Sequence, residues 1–374
     1  MKKLLALLLA LAMVLSAVAC GTAAPANTDS KAEDTKAEDT KADEDVPTEG
    51  TSGDAVELTI WGWNATDIGI VFDEYKKATG ANVTLNYVTV QQTEAFQKLQ
   101  TTMASGLDMP DIVPSEVGQR GTMIALDIWE NLLAEPYNFD TSNIFEYQIN
   151  LLSNERGELV FVPMDISTAA LAYKKALTKE YLGTDDPDEL MAMLTDWDAF
   201  IEKGIEVKEK SNGEKFMFAS LTGVKQVLDG QNPLPIIADN KLDMTSVNES
   251  LAVMQACKDA GIVDTMDETS AAYSASYADD IHIFYPCASW TPNYVIAPND
   301  PEGNDRWGLI IPPGGCYSWG GSALGIPQGA THKTEAWDFL NWFTSLEGCK
   351  TVYTSVHWND SNPAMYLEEE YVNL

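Results

Sequence analysis

Apolar positions recur along the chain at two spacings, and the two spacings alternate. Residues 57–61 and 83–88 alternate apolar and polar side chains, which predicts strands. The stretch between them has a helical apolar stripe and stops at Gly80, and residues 93–105 repeat this pattern before Gly106. Strands that alternate with helices predict βαβ units, a parallel sheet and an α/β fold.

Polar and aromatic side chains follow two predicted strands. Ligands of parallel sheets bind beyond the carboxyl ends of the strands, so these positions are candidate ligand contacts. The first strand ends at residues 61–64, and a further short strand, 110–113, ends just before residues 114–116. The candidates at these two ends are Trp61, Trp63, Asn64, Ser115, Glu116 and Arg120.

The amino terminus has the layout of a secretory signal peptide. Lys2 and Lys3 precede an apolar run at 4–15, and small residues lead to Cys20. The end of this segment resembles a bacterial lipobox, which implies cleavage after residue 19 and a lipid on Cys20. The alternatives are an ordinary cleavable signal or a helical anchor, although the run is shorter than the roughly 20 residues that a span needs.

The composition of residues 20–54 predicts a disordered acidic linker. KAEDT-like repeats occupy residues 31–45, and large apolar side chains are nearly absent. Such a segment buries too little apolar surface to offset the entropy of ordering it. We therefore expect a spacer between a lipid anchor and a folded body, outside the cytoplasm and on the membrane surface.

Charge and length limit the classes of partner. The net charge is −34, and it becomes −36 when Lys2 and Lys3 are removed with the signal peptide. This balance argues against nucleic acid and against electrostatic membrane binding. Residues 55–374 are sufficient for two domains of ordinary size.

The sequence gives no indication of a metal, another cofactor or an enzyme. Cys257, Cys287, Cys316 and Cys349 allow either two disulfides or reduced thiols, and they show no Cys-x-x-Cys spacing. The three histidines are scattered, and neither a phosphate loop nor a Gly-x-Ser-x-Gly motif is present.

An ordered set of segments resembles bacterial extracellular solute-binding proteins of family 1, which bind sugars for ABC importers. The set is ELTIWGWN, FDEYKKATG, FQKLQTTMASGLDMPDIV, residues 157–177, TDWDAFIEKGIEVKE, CASWTPNYV and residues 318–345. The resemblance implies two α/β lobes joined by a hinge, with the ligand in the cleft. It assigns 55–164 with 320–345 to lobe one, and 165–319 with 346–374 to lobe two.

The same resemblance implies that the protein is a monomer that delivers its ligand to an ABC permease after hinge closure. It adds candidate contacts at the segments that cross between the lobes, namely Asp165, Trp319, Gly320 and Gly321. It also adds Trp290, which follows the predicted strand 281–285 and matches a position where family members often stack a sugar. Family members usually continue for several helices past the segment matching 356–365, whereas this sequence ends at Leu374. A shortened second lobe and an incomplete sequence are both compatible with that ending.

Tryptophans and carboxylates at the candidate site favour a carbohydrate ligand. Aromatic rings stack on the C–H faces of sugars, and planar polar groups bind the hydroxyls. For each tryptophan the alternative is a packing role, and we favour Trp63 over Trp61 for ligand contact. Glu116 and Arg120 have the alternative of pairing with each other. Asp165 has the alternative of a turn or capping role.

The sequence is also compatible with other functions. A secreted carbohydrate-active enzyme would need two carboxylates a few ångströms apart across a bound sugar. A binding protein for a peptide, polyamine or metal complex, and a surface scaffold, are further alternatives.

Overall fold

The computed structural model describes residues 54–232, 236–238, 240–303, 305–358 and 360–368. The predicted signal peptide, the predicted lipid attachment at Cys20 and nearly all of the predicted linker lie outside the described residues. Within those ranges, none of the helices has both the length and the apolar character that a membrane crossing requires.

The strands are short and fall along the whole described chain. They are β1 (Val56–Gly62), β2 (Val83–Thr89), β3 (Val113–Glu116), β4 (Val162–Pro163), β5 (Thr168–Lys174), β6 (Phe216–Phe218), β7 (Ile237–Ala238), β8 (Lys241–Leu242), β9 (His282–Ala288), β10 (Trp307–Ile310), β11 (Tyr317–Ser318) and β12 (Ser322–Gly325).

Helices separate most of these strands. They are α1 (Ala65–Thr79), α2 (Ala95–Ser105), α3 (Arg120–Ile124), α4 (Glu146–Leu151), α5 (Lys175–Tyr181), α6 (Pro187–Met193), α7 (Trp197–Lys210), α8 (Leu221–Gln231), α9 (Thr245–Ala260), α10 (Ala271–Ser276), α11 (Ala297–Asn299), α12 (Lys333–Thr344) and α13 (Leu346–Val356). Pro292–Ile296 forms a π-helical turn, and Gln92–Glu94, Thr141–Asn143 and Pro363–Leu367 are 3₁₀ turns.

Local sequence explains the first helix and its position after β1. The Asn64 side chain caps α1 by accepting a hydrogen bond from the backbone N–H of Asp67. The helix ends at Gly80, which has a φ of 70° that suits a residue without a Cβ. This cap fixes the end of β1 and the start of α1 as one rigid corner.

Sheet pairing is mixed rather than purely parallel. β1 and β2 pair in parallel, as predicted, and Ile60 forms a parallel bridge to Ile112 just before β3. β12 runs antiparallel to both β3 and β4. In a separate five-stranded sheet, β5 lies between β10 and β9, β9 also pairs with β6, and β11 pairs with β5. The predicted parallel pairing is therefore present at β1 and β2, whereas β12 runs antiparallel because it reaches β3 and β4 from a later part of the chain.

Among the described residues, two large apolar cores define two lobes, and a smaller cluster that includes Tyr277 and Tyr285 adds to lobe two. Lobe one is built around β1, β3, β4 and β12, with α1 and α12 packed against them. Lobe two is built around β5, β6 and β9, with α7 and α8 packed against them. The chain crosses between the cores after β4 and again between β11 and β12.

The carboxyl-terminal helix belongs to lobe one. The sequence analysis assigned 346–374 to lobe two, but Val352 and Val356 are buried in the lobe-one core and α13 packs on α1. Asn362 extends this contact, because its amide donates to the Thr344 carbonyl at 2.9 Å. The assignment is therefore wrong for the described part of this segment: its apolar stripe completes the core built by α1 and α12.

The four described cysteines are all thiols. Cys257, Cys287 and Cys349 are buried, and Cys316 is exposed. Of the two states that the sequence allowed, the structure therefore shows reduced thiols.

We predict that replacing Val352 by alanine lowers the free energy of unfolding by about 2 kcal/mol, because the lost methyl groups leave a cavity between α13 and α1. Val352 is 1% exposed. Thr354, two residues along the same helix and exposed, is the matched control, and Thr354→Ala should cost no more than about 0.5 kcal/mol. Urea unfolding of both variants measures the difference. Equal effects would contradict the placement of α13 in the core.

Candidate functional site

The two crossing segments lie side by side at the junction of the lobes. The backbone N–H of Trp319 donates to the Ser167 carbonyl at 3.1 Å, and that of Met164 donates to the Ser322 carbonyl at 2.8 Å. Ser167 has a φ of 45°, which is unusual for a residue with a side chain. Strained backbone of this kind is concentrated at functional sites.

Asp165 links both crossings through one carboxylate oxygen. Its Oδ1 accepts hydrogen bonds from Ser167 Oγ at 2.6 Å and from the backbone N–H of Ser322 at 3.3 Å. Burial raises the pKa of Asp165 to about 6, and the nearby Asp360 carboxylate adds to that shift. Carboxyl groups with pKa values shifted by burial and a charged neighbour are typical of functional sites.

Arg120 connects the end of β3 to the second crossing. Its Nη2 donates to the Gly321 carbonyl at 2.6 Å, while its buried Nε has no hydrogen-bond partner in the described structure. Burial lowers the pKa of Arg120, and the carboxylates of Asp165 and Glu116 oppose that shift. Glu116 instead accepts from the backbone N–H of Gly118, so these two side chains do not form the ion pair that the sequence allowed within the described residues.

The two glycines of the second crossing permit this close packing. Gly320 and Gly321 have φ values of 101° and 97°, a region that favours glycine. A Cβ on Gly321 would lie 3.2 Å from Arg120 Nη2. A Cβ on Gly320 would lie 3.3 Å from Trp290 Nε1. The glycines thus allow the second crossing to pass close to the guanidinium group of Arg120 and the indole ring of Trp290.

Trp290 and Trp319 form an aromatic pair on the lobe-two side. Their ring centroids are 5.0 Å apart, and Trp290 Nε1 donates to the Trp319 carbonyl at 3.4 Å. Both rings pack against the lobe-two core and are only partly buried. Both tryptophans therefore have a packing role and keep part of their surface exposed.

The segment after α13 contributes a second carboxylate to the junction. Asp360 Oδ1 accepts the backbone N–H of Ile166 at 3.0 Å, which attaches the carboxyl-terminal segment to the first crossing. Burial raises the pKa of Asp360. His357 ends α13 in the left-handed conformation with a φ of 60°, and this turn leads the chain back toward the crossing.

A cavity of about 280 Å³ lies next to this junction, with residues of both lobes in its wall. Lobe two contributes the loop after β9, and lobe one contributes α13 and the segment after it. The lining residues are Ser289, Pro292, Asn293, Tyr353, His357, Trp358 and Asp360. The wall therefore combines aromatic rings with amide, hydroxyl, imidazole and carboxylate groups.

The predicted residues at the end of β1 have different environments. Trp61 is 5% exposed within the lobe-one core, with Lys98 Nζ 4.7 Å from the centre of its ring, which favours the packing role already weighed for it. Trp63 is partly buried. Asn64 caps α1, and its amide also donates to Asp67 Oδ2 at 2.7 Å. Ser115 is buried, and its Oγ has no hydrogen-bond partner in the described structure.

Sequence reasoning missed the cavity residues of the carboxyl-terminal segment. Trp358 and Asp360 follow a helix end, and they repeat the combination of an aromatic ring and a polar group seen at Trp63 and Asn64. That repetition could have indicated these residues as ligand contacts. It was missed because the sequence analysis assigned 346–374 to lobe two. Asp165, Trp319, Gly320, Gly321 and Arg120 do meet at the junction, and their ligand contacts stay a prediction.

Comparison with known proteins identifies the family. Residues 71–373 match the model of the bacterial extracellular solute-binding protein family, and the chain belongs to this family. A lactose-binding protein of Rhizobium radiobacter is 26% identical over 309 residues, which cover 78% of this chain and 71% of that protein.

Solved structures share the fold. A family 1 extracellular solute-binding protein superposes with a TM-score of 0.74 at 23% identity, covering 84% of this chain and 81% of the other. The ABC transporter-associated binding protein of B. animalis subsp. lactis, in complex with β-1,6-galactobiose, gives a TM-score of 0.64 at 17% identity, with 86% and 79% coverage. The predicted two-lobe α/β fold is confirmed.

We predict that Asp165→Asn stabilises the protein in a pH-dependent way. The pKa of Asp165 rises from 3.8 to about 6 on folding, so the folded state binds more protons between those values. The cost of burying the carboxylate is therefore fully present above pH 6 and is relieved toward pH 3.8. Asparagine keeps an acceptor oxygen without the charge. The free energy of unfolding should rise by about 1–3 kcal/mol at pH 7.5, and by about half as much at pH 5.

Denaturant unfolding at both pH values measures the difference in the free energy of unfolding between Asp165→Asn and the wild type. Asp73→Asn, at an exposed position of α1, is the control. If this difference is absent at pH 7.5, or if it increases at lower pH, burial of the Asp165 carboxylate does not destabilise the protein.

Proposed function

We propose that the protein captures a carbohydrate in the cavity between its lobes and delivers it to the permease of an ABC importer. The observation that supports this most directly is the composition of the cavity wall, to which both lobes contribute. A ligand that contacts both lobes favours their closed arrangement, since it gains contacts there that it lacks in an open one.

The chemistry of the wall matches a sugar. The rings of Trp358 and Tyr353 offer flat apolar surfaces for the C–H faces of a pyranose. Asp360, Asn293 and Ser289 offer the acceptors and donors that sugar hydroxyls need. This combination supports a carbohydrate over a peptide, polyamine or metal complex. In the described ranges, no group of three His, Cys, Asp or Glu side chains is arranged to hold a metal ion.

The size of the cavity supports a short ligand. Its volume of about 280 Å³ lies just below the range of small-molecule sites, which runs from roughly 300 to 1,000 Å³. A ligand of one or two sugar rings is the better match to this space. The similarity to a lactose-binding protein agrees with a disaccharide.

The amino-terminal segments complete the proposal. Cleavage before Cys20 and its lipidation would attach the protein to the outer face of the cell membrane, and the acidic linker would hold the lobes away from the lipid. We propose that it acts there as a monomeric binding protein without catalytic activity, as the match to a family of binding proteins supports.

We predict that intrinsic tryptophan fluorescence responds saturably to one class of sugar in a panel of lactose, galactobiose, maltose and their monosaccharides. Asp360→Asn should weaken the affinity for that sugar roughly tenfold or more, because a hydrogen bond to a charged acceptor is lost. Asp338→Asn is the matched control. Asp338 is an acid of lobe one with a raised pKa, lies on α12 and is not part of the cavity wall.

Two results would count against this proposal. A folded protein that is silent across the panel would favour a ligand other than a sugar. Chromatography of the bound sugar after long incubation separates binding from catalysis, and cleaved product would favour the enzyme alternative instead.

A further inference from the structure

Tyr294 makes a polar contact between the two lobes away from the crossing segments. It lies on the π-helical turn Pro292–Ile296 of lobe two, one residue after Asn293 in the cavity wall. Its hydroxyl donates a hydrogen bond to Asp67 Oδ2 and accepts one from Asn64 Nδ2 at 3.4 Å. Asp67 and Asn64 belong to the rigid corner that begins α1 in lobe one.

The lobe-one side of this contact is preorganised. Asn64 Nδ2 donates to Asp67 Oδ2 at 2.7 Å, and the backbone N–H of Asn64 donates to Tyr87 Oη at 2.9 Å. These bonds hold the Asp67 carboxylate in place without any help from lobe two. Burial and the Asp67 charge both raise the pKa of Tyr294, which keeps its hydroxyl protonated as a donor.

We propose that Tyr294 is a positioning residue that latches the lobes in their closed arrangement through Asp67 and Asn64. This inference rests on the proposed function, because a latch matters only if closure captures a ligand. Asn64 then acts through Tyr294 rather than as a direct ligand contact, since its amide is already engaged by Asp67 and Tyr294.

The latch affects the apparent affinity for the ligand because it changes the fraction of molecules in the closed arrangement. When only the closed arrangement holds the ligand fully, the apparent dissociation constant increases as the closed fraction falls. Tyr294 is 43% exposed, so water competes for its hydroxyl and the effect is smaller than that of a buried charged hydrogen bond. We expect a weakening of roughly 3- to 10-fold for Tyr294→Phe, mainly through faster dissociation.

The test compares Tyr294→Phe with Tyr181→Phe. Tyr181 is a partly buried tyrosine that packs against the lobe-two core, so removal of its hydroxyl makes the same chemical change without touching the other lobe. Spin labels at Ala78→Cys and Ala252→Cys, both exposed and one on each lobe, report the interlobe distance in the full chain. Cys316→Ser removes the exposed thiol of the described residues, and Cys20→Ser removes the cysteine of the predicted lipid attachment.

Without ligand, Tyr294→Phe should shift the distance distribution toward longer values, while Tyr181→Phe matches the wild type and the melting temperatures agree. With the sugar found in the panel, only Tyr294→Phe should dissociate faster. Adding Asp67→Asn to Tyr294→Phe should have little further effect, because both remove the same contact.

Three outcomes would overturn the latch: Tyr294→Phe behaving like Tyr181→Phe, an unchanged distance with a weakened affinity, or a changed distance with an unchanged affinity. If no sugar binds, a longer distance in Tyr294→Phe would still establish the contact between the lobes. The proposed function would then fail separately.

Discussion

The structure depends on how two chain segments pass between the lobes at one place. Each crossing leaves backbone polar groups where two cores meet, and those groups need partners. Asp165 supplies one carboxylate oxygen to both crossings, and Arg120 binds the carbonyl of Gly321 in the second. Asp360 then attaches the carboxyl-terminal segment to the backbone of Ile166 in the first. This one polar network therefore joins the hinge, the cavity wall and the end of the chain.

The same network carries energetic costs that stability alone does not explain. Two carboxyl groups, Asp165 and Asp360, have pKa values raised by burial. Ser167 and His357 adopt left-handed backbone that usually favours glycine. Proteins keep such groups where function needs them and stabilise them by surrounding contacts. In a solute-binding protein, a strained polar junction beside a cavity is where the hinge and the ligand can influence each other.

Local pattern predicted the first half of lobe one well. β1, β2 and α1 follow from alternation, a helical stripe and Gly80, all of which act within about 15 residues. The site required longer-range information. The stripe of α13 shows that one face is buried but does not reveal that its partner is α1, so Asp360 and Trp358 were placed in the wrong lobe. The contact between Tyr294 and Asp67 joins residues whose proximity only the tertiary fold determines.

A crystal structure of the protein with its sugar tests the central claim most directly. We predict density for one or two sugar rings in the cavity, within hydrogen-bond distance of Asp360 and in contact with residues of both lobes. A sugar bound to the outer surface of a single lobe, with the cavity between the lobes unchanged, would contradict capture by closure.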